Sequence, residues 1–110
     1  MWQRAHELGS QLLAIAKEFP RTDEARIVKN QLLRAGLSIS ANIAEGFGGL
    51  GGKSFANYAT IARRSASETE NWLLVAKDAH YLSQTQYVAL SSLNRECIAM
   101  LSSLMNRLRP

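Results

Sequence analysis

At 110 residues, 46% of them hydrophobic and 20% charged, the chain has the size and balance of one globular domain, with little room for a second. Its one cysteine, Cys97, excludes an intrachain disulfide and favours a reducing, cytoplasmic setting. No stretch reaches the roughly 20 apolar residues that span a bilayer, the polar start Met1-Trp2-Gln3-Arg4 lacks the apolar core of a secretory signal, and the net charge of +4 inclines mildly toward anionic partners.

Apolar residues recur at spacings of three and four, the period of an amphipathic helix. In the first segment Ala5, Leu8, Leu12, Ile15 and Phe19 form one seam. Pro20 ends it, because a proline ring excludes helical geometry from the residue before it. A second helix is expected from Thr22 or Asp23, either of which can cap it, with Asp23 and Glu24 at the positive end of the dipole. It should run to Glu45 and stop at Gly46, the residue type favoured just past a helix end. Phe47 to Lys53 reads as a glycine-rich loop. Ser54 then caps a third helix reaching as far as His80. Ser83 and Gln86 have capping-box spacing ahead of a fourth, whose seam is Leu90, Leu93, Cys97, Leu101, Leu104 and Leu108. No alternating β-branched run marks a strand. The expected fold is all-α, an up-down-up-down four-helix bundle filling residues 1–110 as a single domain.

At 100° per residue the second helix places Gln31, Arg34, Ser38, Asn42 and Glu45 on one polar stripe. Val28, Leu32, Ala35, Ile39 and Ile43 lie beside it, and Leu33, Leu37 and Ala44 extend the apolar surface further. That width fits a very central helix or a second interface with another copy of the chain. The polar stripe fits hydrogen bonds of Arg34, Asn42 and Glu45 across helices or subunits, or contacts to a ligand. On the third helix the small residues Ala62, Ser65, Ala66, Thr69 and Ala76 permit close approach of helix axes. Arg64 and Glu68, four apart, are placed to pair on its surface.

Motifs for chemistry fail on inspection. Gly46-Phe47-Gly48-Gly49-Leu50-Gly51 matches G-x-G-x-x-G, but a helix precedes it where the dinucleotide fingerprint needs a strand. Gly52-Lys53-Ser54 echoes a P-loop, yet Phe47 stands where that motif needs its first glycine. What remains is Lys53 beside a helix N-terminus, which suits a phosphate or simply a connector. His6, His80 and Cys97 lack metal-ligand spacing, and Glu68 and Glu70 point in different directions on a helix. The expectation is a non-enzyme with no cofactor, no metal, no small-molecule substrate and no membrane partner.

The run from Gln31 to Gly46, with Gln31-Leu32, Arg34-Ala35, Ser38-Ile39 and Asn42-Ile43-Ala44-Glu45-Gly46, resembles the signature Q-L-x-R-A-x-x-S-I-x-x-N-I-A-E-G of bacterial four-helix bundle proteins. These comprise proteins encoded in intervening sequences of 23S rRNA genes and the accessory protein of diversity-generating retroelements. Phe19-Pro20, Phe55, Ile61-Ala62-Arg63, Ser65 and Glu68 also fit, so the resemblance covers nearly the whole chain. It implies a homopentameric barrel and, for the retroelement members, a basic surface binding nucleic acid and a reverse transcriptase. There are two departures: the stretch Gly48 to Gly52 replaces the usual basic loop residues, leaving only Lys53, and Arg64 replaces a usual glycine. The basic excess lies in the second and last segments, where residues 21–53 carry five basic and three acidic groups and residues 85–110 three and one. Arg26, Lys29, Lys53, Arg63, Arg64, Arg107 and Arg109 are the candidate contacts to RNA or DNA. Gln31, Arg34, Ser38, Asn42, Glu45 and Gly46 are the candidate structural set. A protein-interaction adaptor with no nucleic-acid role stands as the alternative.

Overall fold

The computed structural model describes residues 2–48 and 53–108, without the side chains of Lys53 and Leu108. They form four helices, α1 (Trp2–Ala16), α2 (Asp23–Gly48), α3 (Lys53–Asp78) and α4 (Gln84–Leu108). α1 stops three residues before the expected Phe19. Glu18 N–H donates to Ile15 O at 3.0 Å and Phe19 N–H to Ala16 O at 3.2 Å, so the chain tightens into a turn ahead of Pro20. Phe19 stays buried even so, its ring 5.6 Å from that of Tyr81.

Thr22 is the cap of α2, its Oγ1 accepting the Ala25 N–H at 3.2 Å, and Asp23 and Glu24 occupy the first turn. The far end differs from expectation, because α2 passes through Gly46 and continues to Gly48. Gly46 is buried, and a Cβ there would lie 3.2 Å from the Cβ of Tyr58. The glycine serves the approach of α3 rather than helix termination. α3 begins at Lys53, so Ser54 lies in the first turn instead of capping it. Residues 49–52 of the glycine-rich loop lie outside the described residues.

α3 ends at Asp78 in a Schellman arrangement. Tyr81 N–H donates to Ala76 O at 2.8 Å and His80 N–H to Lys77 O at 3.0 Å. His80 takes the left-handed position with φ of 64°, where a Cβ is strained. Replacing His80 by glycine is expected to raise stability by about 0.5–1 kcal/mol, strain relief outweighing the extra backbone entropy of glycine. A thermal melt that moves downward would contradict this account. The capping box forms as read: Ser83 N–H donates to Gln86 Oε1 at 2.9 Å, and Gln86 N–H to Ser83 Oγ at 3.1 Å.

The helices form a ring in which α1 packs on α2 and α4, and α3 on α2 and α4. Cross-helix contacts climb one helix as they descend the next, from Arg34–Glu68 to Ser38–Ser65 and from Asn94–Glu70 to Ser102–Arg63. Neighbours are therefore antiparallel in a rod of 46 × 20 × 18 Å. The core contains residues of the expected seams, with Leu8 and Leu12, Leu32 and Ile39, and Leu90, Cys97 and Leu101 all but fully buried, and Leu73 of α3 joins them. Ala59, Ala62, Ala66 and Ala76 put short side chains on the inward face of α3, which lets α2 and α4 approach it closely. No helix among the described residues is long and apolar enough to cross a membrane.

Candidate functional site

Three polar groupings sit on this frame, and one of them surrounds a cleft open to solvent. The first joins α2 to α3. Ser38 Oγ and Ser65 Oγ share a hydrogen bond at 2.9 Å. Asn42 Nδ2 donates to Ser38 O at 2.8 Å and to Ser38 Oγ at 2.9 Å, so it braces its own helix instead of reaching across. Arg34 donates to Gln31 Oε1 at 2.8 Å and across to the Glu68 carboxylate. Glu68 also accepts from Trp72 Nε1 at 3.0 Å. The expected Arg64–Glu68 pair therefore gives way to Arg34–Glu68, because a contact between helices competes with one along the surface. Glu45 is exposed and pairs with no described residue, so it makes none of the expected bonds across helices within the chain.

The Trp72 hydrogen bond, and after it the Arg34 guanidinium, hold the Glu68 carboxyl below its usual 4.5, against a desolvation that pushes upward. A lowered folded pKa stabilises the fold above 4.5, and that contribution is lost as pH falls through the lower folded value. Because the carboxylate is partly exposed, the loss is small. Acidification from pH 5 to pH 3 should lower the melting temperature of the native chain slightly more than that of Glu68→Gln. Parallel curves for the two proteins would remove this role for Glu68.

The second grouping joins α3 to α4 around Glu70, which the sequence offered only as a failed acid–base partner of Glu68. One carboxylate oxygen accepts from Ser91 Oγ at 2.7 Å and Tyr87 OH at 3.2 Å, and the other from Asn94 Nδ2 at 3.2 Å. Asn94 is fully buried and also donates to Ala66 O at 2.9 Å. Arg95 reaches the Glu70 carboxylate from the surface at 3.6 Å. The available signal was Asn94 itself, an amide four residues after Leu90 and three before Cys97 on the apolar seam.

The third grouping is basic. Arg26 and Lys29, both candidates from the sequence, meet Lys17 and Arg21 around an open cleft of about 490 Å³ at the α1–α2 turn. Ala16, Phe19, Pro20 and Thr22 complete its lining, and no carboxylate lines it. Asp23 is bound to Arg26 at 3.0 Å. Lys17, Arg21 and Lys29 form no ion pair with a described carboxylate. Lys17 was missed because residues 1–20 are charge-balanced, and Arg21, counted within the basic excess of residues 21–53, was not singled out; only the turn folds the two toward α2. The remaining candidates do not join this cluster. Arg63 donates to Ser102 Oγ at 2.9 Å on the α3–α4 flank, Arg64 lies exposed on α3, and Arg107 lies at the opposite end of α4. The Lys53 side chain and Arg109 lie outside the described residues.

His6 stacks on Trp2 with ring centroids 4.7 Å apart, whereas His80 lies at the other end of the rod. Cys97 is buried, and that burial, with the charge of Glu96, pushes its thiol from 9.0 to about 11. Among the described residues no three His, Cys, Asp or Glu side chains gather as a metal donor set.

Antiparallel helices, α1 of 15 residues and three of 25 or 26, joined through a polar seam between α2 and α3, define a small up-down-up-down four-helix bundle protein. The model of the 23S rRNA-intervening sequence protein family matches residues 1–103, and the chain belongs to that family. Its fold is similar to the crystal structure of a protein of unknown function from the S23 ribosomal protein family of Bacteroides thetaiotaomicron. The two agree with a TM-score of 0.88 at 27% identity, over 94% of this chain and 96% of that one. No curated protein matches the sequence.

Proposed function

We propose that the chain is a non-catalytic, self-associating helical scaffold of the cytoplasm that holds RNA or DNA through phosphate contacts. The observation that carries this reading is the gathering of Lys17, Arg21, Arg26 and Lys29 around one cleft without a lining carboxylate. Side chains of this kind neutralise phosphates and release condensed counterions, so affinity falls steeply with salt. Self-association, into the pentamer that the sequence resemblance implies, draws support from exposed apolar side chains on α1, α2 and α3, among them Leu13, Ile27, Leu37 and Ile61. Apolar side chains on these helix faces are ones that a second copy of the chain would cover. The same side chains favour the second reading, an adaptor that binds another protein and no nucleic acid.

Fluorescence anisotropy with short RNA, duplex DNA and an RNA–DNA hybrid, titrated across salt, tests the leading reading. Binding should weaken with salt, and Lys17→Ala with Arg21→Ala should flatten the slope by about one to two contacts. Absence of binding to all three at low salt would leave only the adaptor. Light scattering tests assembly: five protomers of 12.2 kDa give 5 × 12.2, about 61 kDa, and a monomer alone at micromolar concentration would end the oligomer reading.

A further inference from the structure

The cations at the α1–α2 turn are gathered at one point, and that geometry selects among phosphates. A protein that tracks a strand strings its charges along a groove. Here Lys17, Arg21, Arg26 and Lys29 close on a single cleft at one end of the 46 Å rod, and of the other described candidates Arg63 and Arg64 lie on its flank and Arg107 at its far end. We propose that this cleft binds a terminal phosphomonoester, the phosphate at the end of a strand or on a free nucleotide; the inference rests on the phosphate-contact reading above.

Charge favours the monoester. A phosphodiester carries one negative charge, whereas a monoester carries nearly two at neutral pH and presents three acceptor oxygens. Three cations without a partner, Lys17, Arg21 and Lys29, can each meet one of those oxygens. Arg26, already held by Asp23 at 3.0 Å, sets the edge of the site. The helix end does not supply the attraction, because Thr22 caps α2 and Asp23 and Glu24 occupy its first turn. The side chains do. Size agrees as well: about 490 Å³ lies within the roughly 300–1,000 Å³ of small-ligand sites. Phe19 and Pro20 give the cleft an apolar wall, against which a sugar or base can rest while the phosphate meets the cations.

The test compares one labelled RNA oligonucleotide with a 5′-phosphate, a 3′-phosphate or hydroxyls at both ends, bound to the native chain at fixed salt. A terminal phosphate should tighten binding about tenfold or more, the worth of added charge-assisted hydrogen bonds. Arg21→Ala, at an exposed turn position, should abolish that difference while leaving the melting temperature unchanged; Lys17→Glu provides an independent second variant. Competition with adenosine monophosphate and with inorganic phosphate separates the sources. Displacement by the mononucleotide assigns the site to free nucleotides, and displacement only by phosphorylated strands assigns it to strand ends. Equal binding of all three oligonucleotides would overturn the monoester site and leave the phosphate-contact reading intact. No binding of any would overturn both.

Discussion

Exchanging Glu70 for alanine is expected to destabilise the bundle by about 3 kcal/mol, several times the effect of removing its ion-pair partner Arg95. The asymmetry follows from what each change strands. Glu70 accepts from Tyr87, Ser91 and Asn94. Ser91 is 5% exposed and Asn94 is fully buried, so their donors lose a partner where water cannot replace it, at about 1–3 kcal/mol each. Arg95 is 68% exposed in its side chain, and its loss should cost less than about 1 kcal/mol. Glu70→Gln should fall between the two, because it keeps the shape but sets an amide donor against existing donors. Denaturant melts giving equal costs for Glu70→Ala and Arg95→Ala would show that the α3–α4 network contributes little.

Leu12→Ala should cost about 3–4 kcal/mol, in the usual range for a fully buried leucine. The informative result is its coupling to Gly36. A Cβ added at Gly36 would fall 2.2 Å from Leu12 Cδ1 and 3.9 Å from Thr69 Cγ2, at the point where α1, α2 and α3 meet. Gly36→Ala alone therefore overpacks a closed core by about 1–3 kcal/mol, partly offset by about 1 kcal/mol of improved helix propensity. With Leu12 already shortened, the new methyl enters the space that leucine has left. The double variant should be more stable than the sum of the single effects predicts, by about 1 kcal/mol or more. Additive costs would mean that Leu12 swings aside freely in the native chain and that Gly36 is not required for close packing.

Legibility in the sequence followed the range of the interaction. Seams, the Thr22 cap and the Ser83–Gln86 box depend on residues three or four apart, and each is present in the fold. Gly46 misled because glycine has two uses: the spacing indicated a helix stop, while Tyr58, twelve residues away, requires a close approach. Arg64–Glu68 misled for a related reason. A helix wheel shows partners on one helix and cannot show that Arg34 arrives from the next. The Ser38–Ser65 contact was half visible, as two small polar residues on two stripes whose register only the packed bundle sets. The basic cleft was the least visible, since Arg26 and Lys29 were apparent within an excess, Arg21 was counted in it without being singled out, and Lys17 was hidden by nearby acids. Direction of approach, which composition does not encode, brings the four together.

The buried thiol of Cys97 also makes the fold a clock. Only the thiolate attacks electrophiles, and a pKa raised from 9.0 to about 11 leaves about a hundredfold less of it at neutral pH than an unfolded chain contains. The seam around it, with Leu93, Leu101 and Leu90 all nearly solvent-free, bars reagents as well. Alkylation in the native state must therefore wait for the helices to part. Its rate reads the free energy of that opening directly, with a natural reporter already seated in the α4 seam.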